Sequence, residues 1–426
     1  MKMDKWERKP LGAVADLCLG KMLDQNKNRG EPLPYLANVN VRWGEFALDD
    51  LRTMRFELKE MDRYGLRFGD IVMCEGGEPG RCAIWKNKVP GMMIQKALHR
   101  IRPKEFLDYR FLFYSFLHIG QFKGFDQYVT GATIKHLPSE KLAKIEIEVP
   151  PLPIQQNIAC ILSAYDELIE NNQRRSRILE DMVRSIYREW FVHFRYPGHE
   201  SVLLVDSPLG QIPQGWKVKK LGDVAATFRG RSYRSVDLAD EGGVPFLNLK
   251  CIDRDGGFRR SGLKRYVGEF KEAHLARKGD IVMGVTDMTQ ERRIVARAAL
   301  VPSLDFEFGV FSMDLVRVEP IGEMPKSFLY SFFRYSSFAD EVKQHANGAN
   351  VLHLSPERIT DFRFSLPPVD LMERFVRFVA PTLERMDVLQ NQTANLRCTR
   401  DLLLPRLLSG QVALNVIESE LDEVMP

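Results

Sequence analysis

The sequence predicts an α+β protein made twice over: two tandem globules, each followed by a long helix, with the two helices pairing as an antiparallel coiled coil. Three observations predict it. Five segments recur in the same order, about 210 residues apart. Each copy begins with short β-type runs broken by glycine and proline. Each copy then passes through a proline cluster into a long stretch with apolar residues at alternating three- and four-residue steps.

In chain order, Trp6, Leu11-Gly12 and Val14-Ala15 return as Trp216, Leu221-Gly222 and Val224-Ala225. Pro34-Tyr35-Leu36-Ala37-Asn38 is answered by Pro245-Phe246-Leu247-Asn248-Leu249. Gly69-Asp70-Ile71-Val72-Met73 returns unchanged as Gly279-Asp280-Ile281-Val282-Met283. Thr130-Gly131-Ala132-Thr133-Ile134-Lys135-His136-Leu137 matches Asn347-Gly348-Ala349-Asn350-Val351-Leu352-His353-Leu354, and Val149-Pro150-Pro151-Leu152-Pro153 matches Leu366-Pro367-Pro368-Val369. One such match arises by chance; five in order do not. Solenoid repeats run about 20–50 residues, so this period duplicates a whole domain with its appendage.

Within each globule, Asp70-Ile71-Val72-Met73 and Asp314-Leu315-Val316-Arg317-Val318 read as strands. Lys144-Ile145-Glu146-Ile147-Glu148-Val149 alternates as a half-buried strand does. Helical signals run from Phe106 to Leu117 and from Lys326 to Tyr335, each before a Gly-Ala turn. Glu75-Gly76-Gly77-Glu78-Pro79-Gly80-Arg81 is glycine-rich, but it lacks GxGxxG spacing and a following helix, so it reads as a tight turn.

The first helical seam runs Ile158, Ile161, Tyr165, Leu168, Asn172, Arg175, Leu179, Met182, Ile186. Asn172 and Arg175 fall mid-seam, where a polar residue fixes register at some cost in stability. The second seam runs Val379, Thr382, Met386, Leu389, Thr393, Leu396, Arg400, Leu403, Leu407. Pro381 costs about 3 kcal/mol inside a helix, so a kink or a helix start is expected there. Residues 158–194 as one helix would span roughly 55 Å.

The chain has 426 residues, with 61 Lys+Arg against 57 Asp+Glu and a net charge of +4. Its 44% apolar and 28% charged residues are ordinary for a packed protein and exclude a disordered or collagenous one. The balanced charge excludes a polybasic tail protein but not DNA binding, because local clusters outweigh the sum. Met1-Lys2-Met3-Asp4-Lys5-Trp6-Glu7 has no apolar core, so no secretory leader is expected. No run approaches 18 apolar residues, so no membrane partner is expected. The six cysteines form no CxxC pair and read as free thiols of a reducing, cytoplasmic setting.

Catalytic patterns are missing. The eight histidines make no HExxH, and there is no phosphate-cradling G-x-x-x-x-G-K-[ST]. No Asn/Asp-Pro-Pro-Tyr/Phe motif of an amino-methyltransferase occurs. Glu57-Leu58-Lys59 with Asp49 or Asp50 resembles a nuclease triplet only loosely and reads as solvated surface.

The basic clusters are more informative. In the second copy Lys217, Lys219, Lys220, Arg229, Arg231 and Arg234 interleave with Phe228 and Tyr233. Lys250, Arg254, Arg259, Arg260, Lys264 and Arg265 follow with Phe258 and Tyr266, and then Arg292 and Arg293. The first copy is sparser: Arg63, Arg67, Arg81, Lys86 and Lys88, with Lys123 and Lys135 flanking the Gly-Ala turn. Such residues supply phosphate contacts, and arginine reads guanine edges. From these sets Arg63, Arg81, Lys86, Lys123, Lys135, Arg229, Arg231, Arg234, Arg254, Arg259, Arg260, Arg292 and Arg293 are the expected DNA-binding residues. Two different readers on a helical ruler, spaced by one to one and a half turns of B-DNA at roughly 34–36 Å per turn, would suit a split site with an unread gap.

Pro150-Pro151-Leu152-Pro153-Ile154-Gln155-Gln156-Asn157-Ile158-Ala159 resembles the opening of the central helix in specificity subunits of type I restriction–modification systems. Ile161-Leu162-Ser163-Ala164-Tyr165-Asp166-Glu167-Leu168-Ile169 and Tyr187-Arg188-Glu189-Trp190-Phe191-Val192 extend the likeness. Leu407-Leu408-Ser409-Gly410-Gln411-Val412 resembles the family's C-terminal helix ending, and Gly131–Leu137 the turn closing its target recognition domains. The resemblance implies two target recognition domains, each reading one half of an asymmetric bipartite site in double-stranded DNA. It implies helices that dock two methyltransferase (modification) subunits, with Gln155, Gln156, Tyr187, Trp190 and Phe191 as partner-binding residues, and motor–endonuclease (restriction) subunits joining the assembly. S-adenosylmethionine, ATP and Mg²⁺ would sit on those partners and no cofactor on this chain. The second Pro-Pro segment departs from the pattern: it lacks the Gln-Gln pair and runs into Asp370-Leu371-Met372-Glu373.

The expected organisation is a first recognition domain over 1–153, a central helix and spacer over 154–198, a second recognition domain over 199–370, and a C-terminal helix and tail over 371–426. Two rival readings stand beside the non-catalytic subunit. A fused single-chain restriction or modification enzyme would need a catalytic domain with its own motif. A stand-alone DNA-binding or coiled-coil protein without a methyltransferase partner would fit an unclustered surface charge.

Overall fold

The structure, a computed structural model, describes residues 6–22, 24, 28–131, 133 and 135–410. The segment Gln411-Val412 and the tail to 426 lie outside the described residues, as do Ala132 and Ile134 of the first Gly-Ala turn.

A four-stranded antiparallel sheet stands at the centre of each globule. In the first globule its order is Ala15–Leu19, Leu98–Pro103, Ile71–Cys74, Cys82–Ile84. In the second it is Ala225–Arg229, Leu315–Pro320, Ile281–Gly284, Ala298–Leu300. The repeated Ile-Val-Met run is an inner strand both times. Side chains alternate across a strand: Ile71 and Met73 join one apolar cluster, Val72 and Cys74 another. Ile281 and Met283 divide from Val282 in the same way. With both faces covered, the strand reads as a continuous apolar run.

A second, smaller sheet lies in each globule: three strands, Arg52–Phe56, Glu31–Leu36 and Met93–Ile94, in the first, and five in the second. Glu7–Pro10 pairs with Glu146–Val149, and Lys217–Lys220 with Arg363–Leu366. Each globule therefore ties its own beginning to its own end before the chain enters a long helix.

Helix α1 (Tyr109–Gln121) starts three residues later than the sequence signal at Phe106. The Asp108 carboxylate accepts the Arg110 and Phe111 backbone N–H groups at 2.8 and 3.1 Å, which sets the start there. The long helices are α2 (Leu152–Tyr187), ending in one π turn, and α4 (Val369–Leu408); α3 (Lys326–Tyr335) spans its signal. The glycine-rich segment is a turn, with Gly80 donating to the Cys74 carbonyl at 3.0 Å. Gly80 has φ +94°, and a Cβ there would collide with the Phe125 ring.

The chain divides into two compact units, Met1–Glu170 with Ala394–Pro426, and Asn171–Thr393. Each holds one globule and one end of each long helix. In the first, Ile158, Ile161 and Leu162 of α2 share a cluster with Leu404, Leu407 and Leu408 of α4. In the second, Val183 and Tyr187 of α2 share a cluster with Met372, Phe375 and Val379 of α4. Beginning meets end both times, so the helices pair antiparallel.

One expectation about these helices is corrected. The α2 seam follows Ile158, Leu162, Tyr165, Ile169, Asn172, Ser176, Leu179, Val183 and Ile186, all buried or half-buried. Leu168 and Met182, expected inside, are 46% and 52% exposed, and Arg175 faces solvent. Every second position was read one residue early, because apolar residues occupy both neighbours (Ile161-Leu162, Leu168-Ile169, Met182-Val183) and a three-then-four step fits either. The second seam keeps its expected register: Val379, Leu389, Thr393 and Leu407 are buried and the rest half-buried. Pro381 starts no helix; α4 begins at Val369 and carries Pro381 on an exposed position.

Candidate nucleic-acid interface

In the second globule, strand alternation separates the charges from the rings. Lys264 is exposed, Arg265 half-buried and Tyr266 buried, stacked on Phe246 with centroids 5.2 Å apart. Tyr233 meets the edge of Phe246 at 4.7 Å. The aromatic residues interleaved with arginine are thus part of the packing, not a stacking platform for bases.

Among the expected contacts, Arg229 and Arg254 are exposed. Arg234 is exposed at 3.6 Å from Asp237, and Arg259 is exposed with its Nε donating to the Lys250 carbonyl at 2.7 Å. Arg293 pairs with Glu291 at 2.5 Å. Two others, Arg260 and Arg292, are largely spent within the fold, which sets them apart from the exposed members of the expected DNA-binding set. Arg260 donates to the Ser303 carbonyl at 2.8 Å and to Asn391, and pairs with Asp387 at 3.3 Å. Arg292, in left-handed backbone (φ +53°), donates to the Gln344 side chain at 3.0 Å. Arg231 is half-buried, its Nε shielded from solvent.

In the first globule Arg63, Lys123 and Lys135 are exposed. Arg63 lies over the Tyr64 ring, and Lys123 sits in left-handed backbone (φ +54°) just past α1. Arg81 is spent in the same way as Arg260: it pairs with Glu78 at 2.8 Å and donates to the Asn38 carbonyl at 2.9 Å. Lys86 is exposed but lies 3.3 Å from Glu170 of α2.

Of the five partner-binding expectations, Gln156 is exposed and Trp190 half-exposed. Gln155, Tyr187 and Phe191 are buried, and their assignment to a partner surface is corrected. Gln155 uses its whole amide internally: its Oε1 accepts the Asp108 N–H at 2.9 Å, and its Nε2 donates to the Phe106 and Pro150 carbonyls at 3.1 and 2.8 Å. It pins the start of α2 to the cap of α1. Met372, 217 positions later, is buried as apolar packing, which accounts for the missing Gln in the second copy. Tyr187 and Phe191 are centres of an aromatic cluster with Phe328 and Phe375. Burial pushes the Tyr187 phenol far above its ordinary value.

Sequence reasoning missed two acids. Glu170 holds Lys86 and Lys88 at 3.3 and 3.7 Å. Asp387 holds Arg260 and Lys278 at 3.3 Å each and accepts the Ser303 hydroxyl at 3.0 Å. They lie 217 positions apart, the offset of the Gly-Ala turns, so each helix carries one acid that grips its own globule. Extending the repeat comparison past the prolines would have found them. Burial opposes ionisation of Glu170, but Lys86 and Lys88 outweigh it and hold its carboxyl below the usual range.

The fold defines a class of protein: two versions of one α+β globule, each gripped by the same pair of long helices. The chain belongs to the type I restriction modification DNA specificity domain family, whose model matches residues 3–180 and 213–393. It is 26% identical over 355 residues to the type I restriction enzyme MjaIX specificity subunit of Methanocaldococcus jannaschii, covering 81% of this chain and 78% of that one. It is 20% identical over 348 residues to the HindI specificity subunit of Haemophilus influenzae, covering 66% and 72%. The S subunit of a type I system from M. genitalium has the same fold, with a TM-score of 0.58 at 17% identity over 96% of this chain and 98% of that one. No helix among the described residues is long and apolar enough to cross a membrane.

Proposed function

We propose that this chain is the DNA-reading, non-catalytic member of a type I restriction–modification assembly in the cytoplasm. Each globule reads one half of an asymmetric bipartite site in double-stranded DNA. The paired helices dock two methyltransferase subunits, and motor–endonuclease subunits complete the assembly. S-adenosylmethionine, ATP and Mg²⁺ are used by those partners.

One observation carries the reading: the two globules share a skeleton but not a surface. Leu137 donates to the Glu75 carbonyl and Leu354 to the Val285 carbonyl, both at 2.8 Å, so even the turn contacts repeat. One exposed cation also repeats, Arg67 on Asp62 as Arg277 on Glu272, but others do not. Arg229, Arg254 and Arg259 of the second globule have no counterparts in a first globule that offers Arg63, Lys123 and Lys135. Equal frames with unequal reading residues suit two different half-sites. For the partners, α2 leaves Ile178 and Met182 exposed and α4 leaves Phe378 exposed beside Trp190, and apolar surface of that kind marks a protein-binding face.

Mixed with a cognate methyltransferase subunit, the chain directs adenine methylation to one gapped sequence, read by mapping methylated adenines. Alone it neither methylates nor cuts. Activity from the chain alone, or methylation scattered over unrelated sites, overturns the reading.

A further inference from the structure

The segment that follows the repeated inner strand differs most between the copies. In the first globule Cys74 and Arg81 are joined by Glu75–Gly80; in the second Gly284 and Arg297 are joined by Val285–Ala296, six residues longer. The anchors are equivalent. Cys74 donates to the Arg81 carbonyl at 2.8 Å and Gly284 to the Arg297 carbonyl at 3.1 Å, while Gly80 and Ala296 donate back to Cys74 and Gly284.

The longer loop is braced throughout. Asp287 is buried and accepts the Thr289 N–H and hydroxyl at 2.8 and 2.9 Å and the Ile294 N–H at 2.9 Å. Thr286–Asp287 pairs with Leu352–His353 of the Gly-Ala turn. Gln290 donates to the Ala349 carbonyl at 2.9 Å, Arg292 to Gln344, and Arg293 pairs with Glu291. One large side chain points away from all of this. Met288 is 72% exposed, although its neighbours on the loop are held in place. An apolar side chain left in water on a braced loop does nothing for folding, and it is free to meet an apolar partner. The edge of a DNA base pair is such a partner, because the thymine methyl is the apolar feature of the major groove, and methionine adapts its shape to small apolar surfaces.

We propose that the loop Thr286–Ile294 reads one base pair of the second half-site, with Met288 as a specificity-determining residue that contacts a thymine methyl. The inference rests on the DNA-reading function proposed above. The first globule has no equivalent, since its glycine turn is too short to carry one.

The test uses the chain assembled with its methyltransferase subunit and a duplex library with a randomised segment. Wild type, Met288→Ala and Met288→Leu are compared. Wild type enriches one bipartite site, with a thymine at a defined position of the second half-site. Met288→Ala loses about tenfold in preference at that position alone, while Met288→Leu keeps it. All three melt together, because Met288 packs against no core. Replacing that thymine by uracil, which removes only the methyl, weakens wild type by the same factor and leaves Met288→Ala unaffected. An unchanged preference in Met288→Ala, or a uracil effect that persists in it, overturns the proposal. If wild type enriches no sequence at all, the DNA-reading function itself fails, and the two failures are distinct.

Discussion

Lys21 and Arg231 hold matching places just after the first strand of each four-stranded sheet, yet their charges meet different neighbours. Lys21 is buried, pairs with Glu60 at 2.6 Å and lies over the Phe56 ring at 5.0 Å. Burial opposes ionisation of Glu60, but the Lys21 contact outweighs it and holds the carboxyl below its usual range. Arg231 faces His274 instead, whose pKa is lowered by burial and then by Arg231 and Lys271. The first globule neutralises its cation internally and the second does not. Nothing in the residue types announces this; it depends on which side chain folds against which. For the same reason the sequence marked Arg81, Arg260 and Arg292 as equals of Arg229 and Arg254. A testable consequence comes from His99, which is fully buried with its Nε2 2.8 Å from the Leu137 carbonyl. Burial lowers its pKa below the ordinary 6.5, against the opposing pull of that carbonyl and of Glu75. The folded state therefore resists protonating His99, and below pH 6.5 the unfolded chain binds more protons. The contribution is fully present above pH 6.5 and is lost as the pH falls through the lowered value. Melting temperature measured from about pH 7.5 down to pH 5.5 should fall, and His99→Gln should fall less over the same range. An equal pH dependence in the variant would refute the assignment.

At the scale of elements, the paired helices show how far a pattern can be read. Their existence, length and antiparallel sense were legible from period and duplication. The α2 register was not, because adjacent apolar pairs satisfy two seams equally well. The information was nonetheless in the chain. The α4 seam carried back by the 217-residue offset gives Leu162, Tyr165, Ile169, Asn172, Ser176, Leu179, Val183 and Ile186, the line the structure buries. Duplication is thus a stronger constraint on register than apolar content. Ile169→Ala empties a buried site and should cost about 2–4 kcal/mol. Leu168→Ala removes a half-exposed side chain and should cost under about 1 kcal/mol. Chemical denaturation of the full chain separates the two, and the reverse order would restore the register with Leu168 inside.

At the scale of the molecule, the proposed function needs two readers that can change independently while the helices stay constant. The architecture is built for that. Glu7–Pro10 with Glu146–Val149, and Lys217–Lys220 with Arg363–Leu366, close each globule at its own ends. The clusters around Trp85 and around Phe56 belong wholly to the first globule, and those around Phe311 and Phe246 wholly to the second. What each globule shares with the helices is one large apolar cluster and a few polar grips. In the first globule these grips are Lys86 and Lys88 on Glu170, and the Tyr114 hydroxyl donating to Asp166 at 2.7 Å, with Arg400 on the same carboxylate. Replacing residues 1–150 with the corresponding domain of a relative should therefore change one half-site and leave the other, provided the donor keeps a cation near Glu170 and a hydroxyl near Asp166. Without them the graft leaves two helix carboxylates without their globule partners, and its melting temperature should drop relative to a graft that restores them. Mapping methylated adenines for the exchanged chain with an unchanged methyltransferase subunit decides the matter. One altered half-site beside one retained half-site is the expected pattern, and alteration of both would mean that neither globule reads alone.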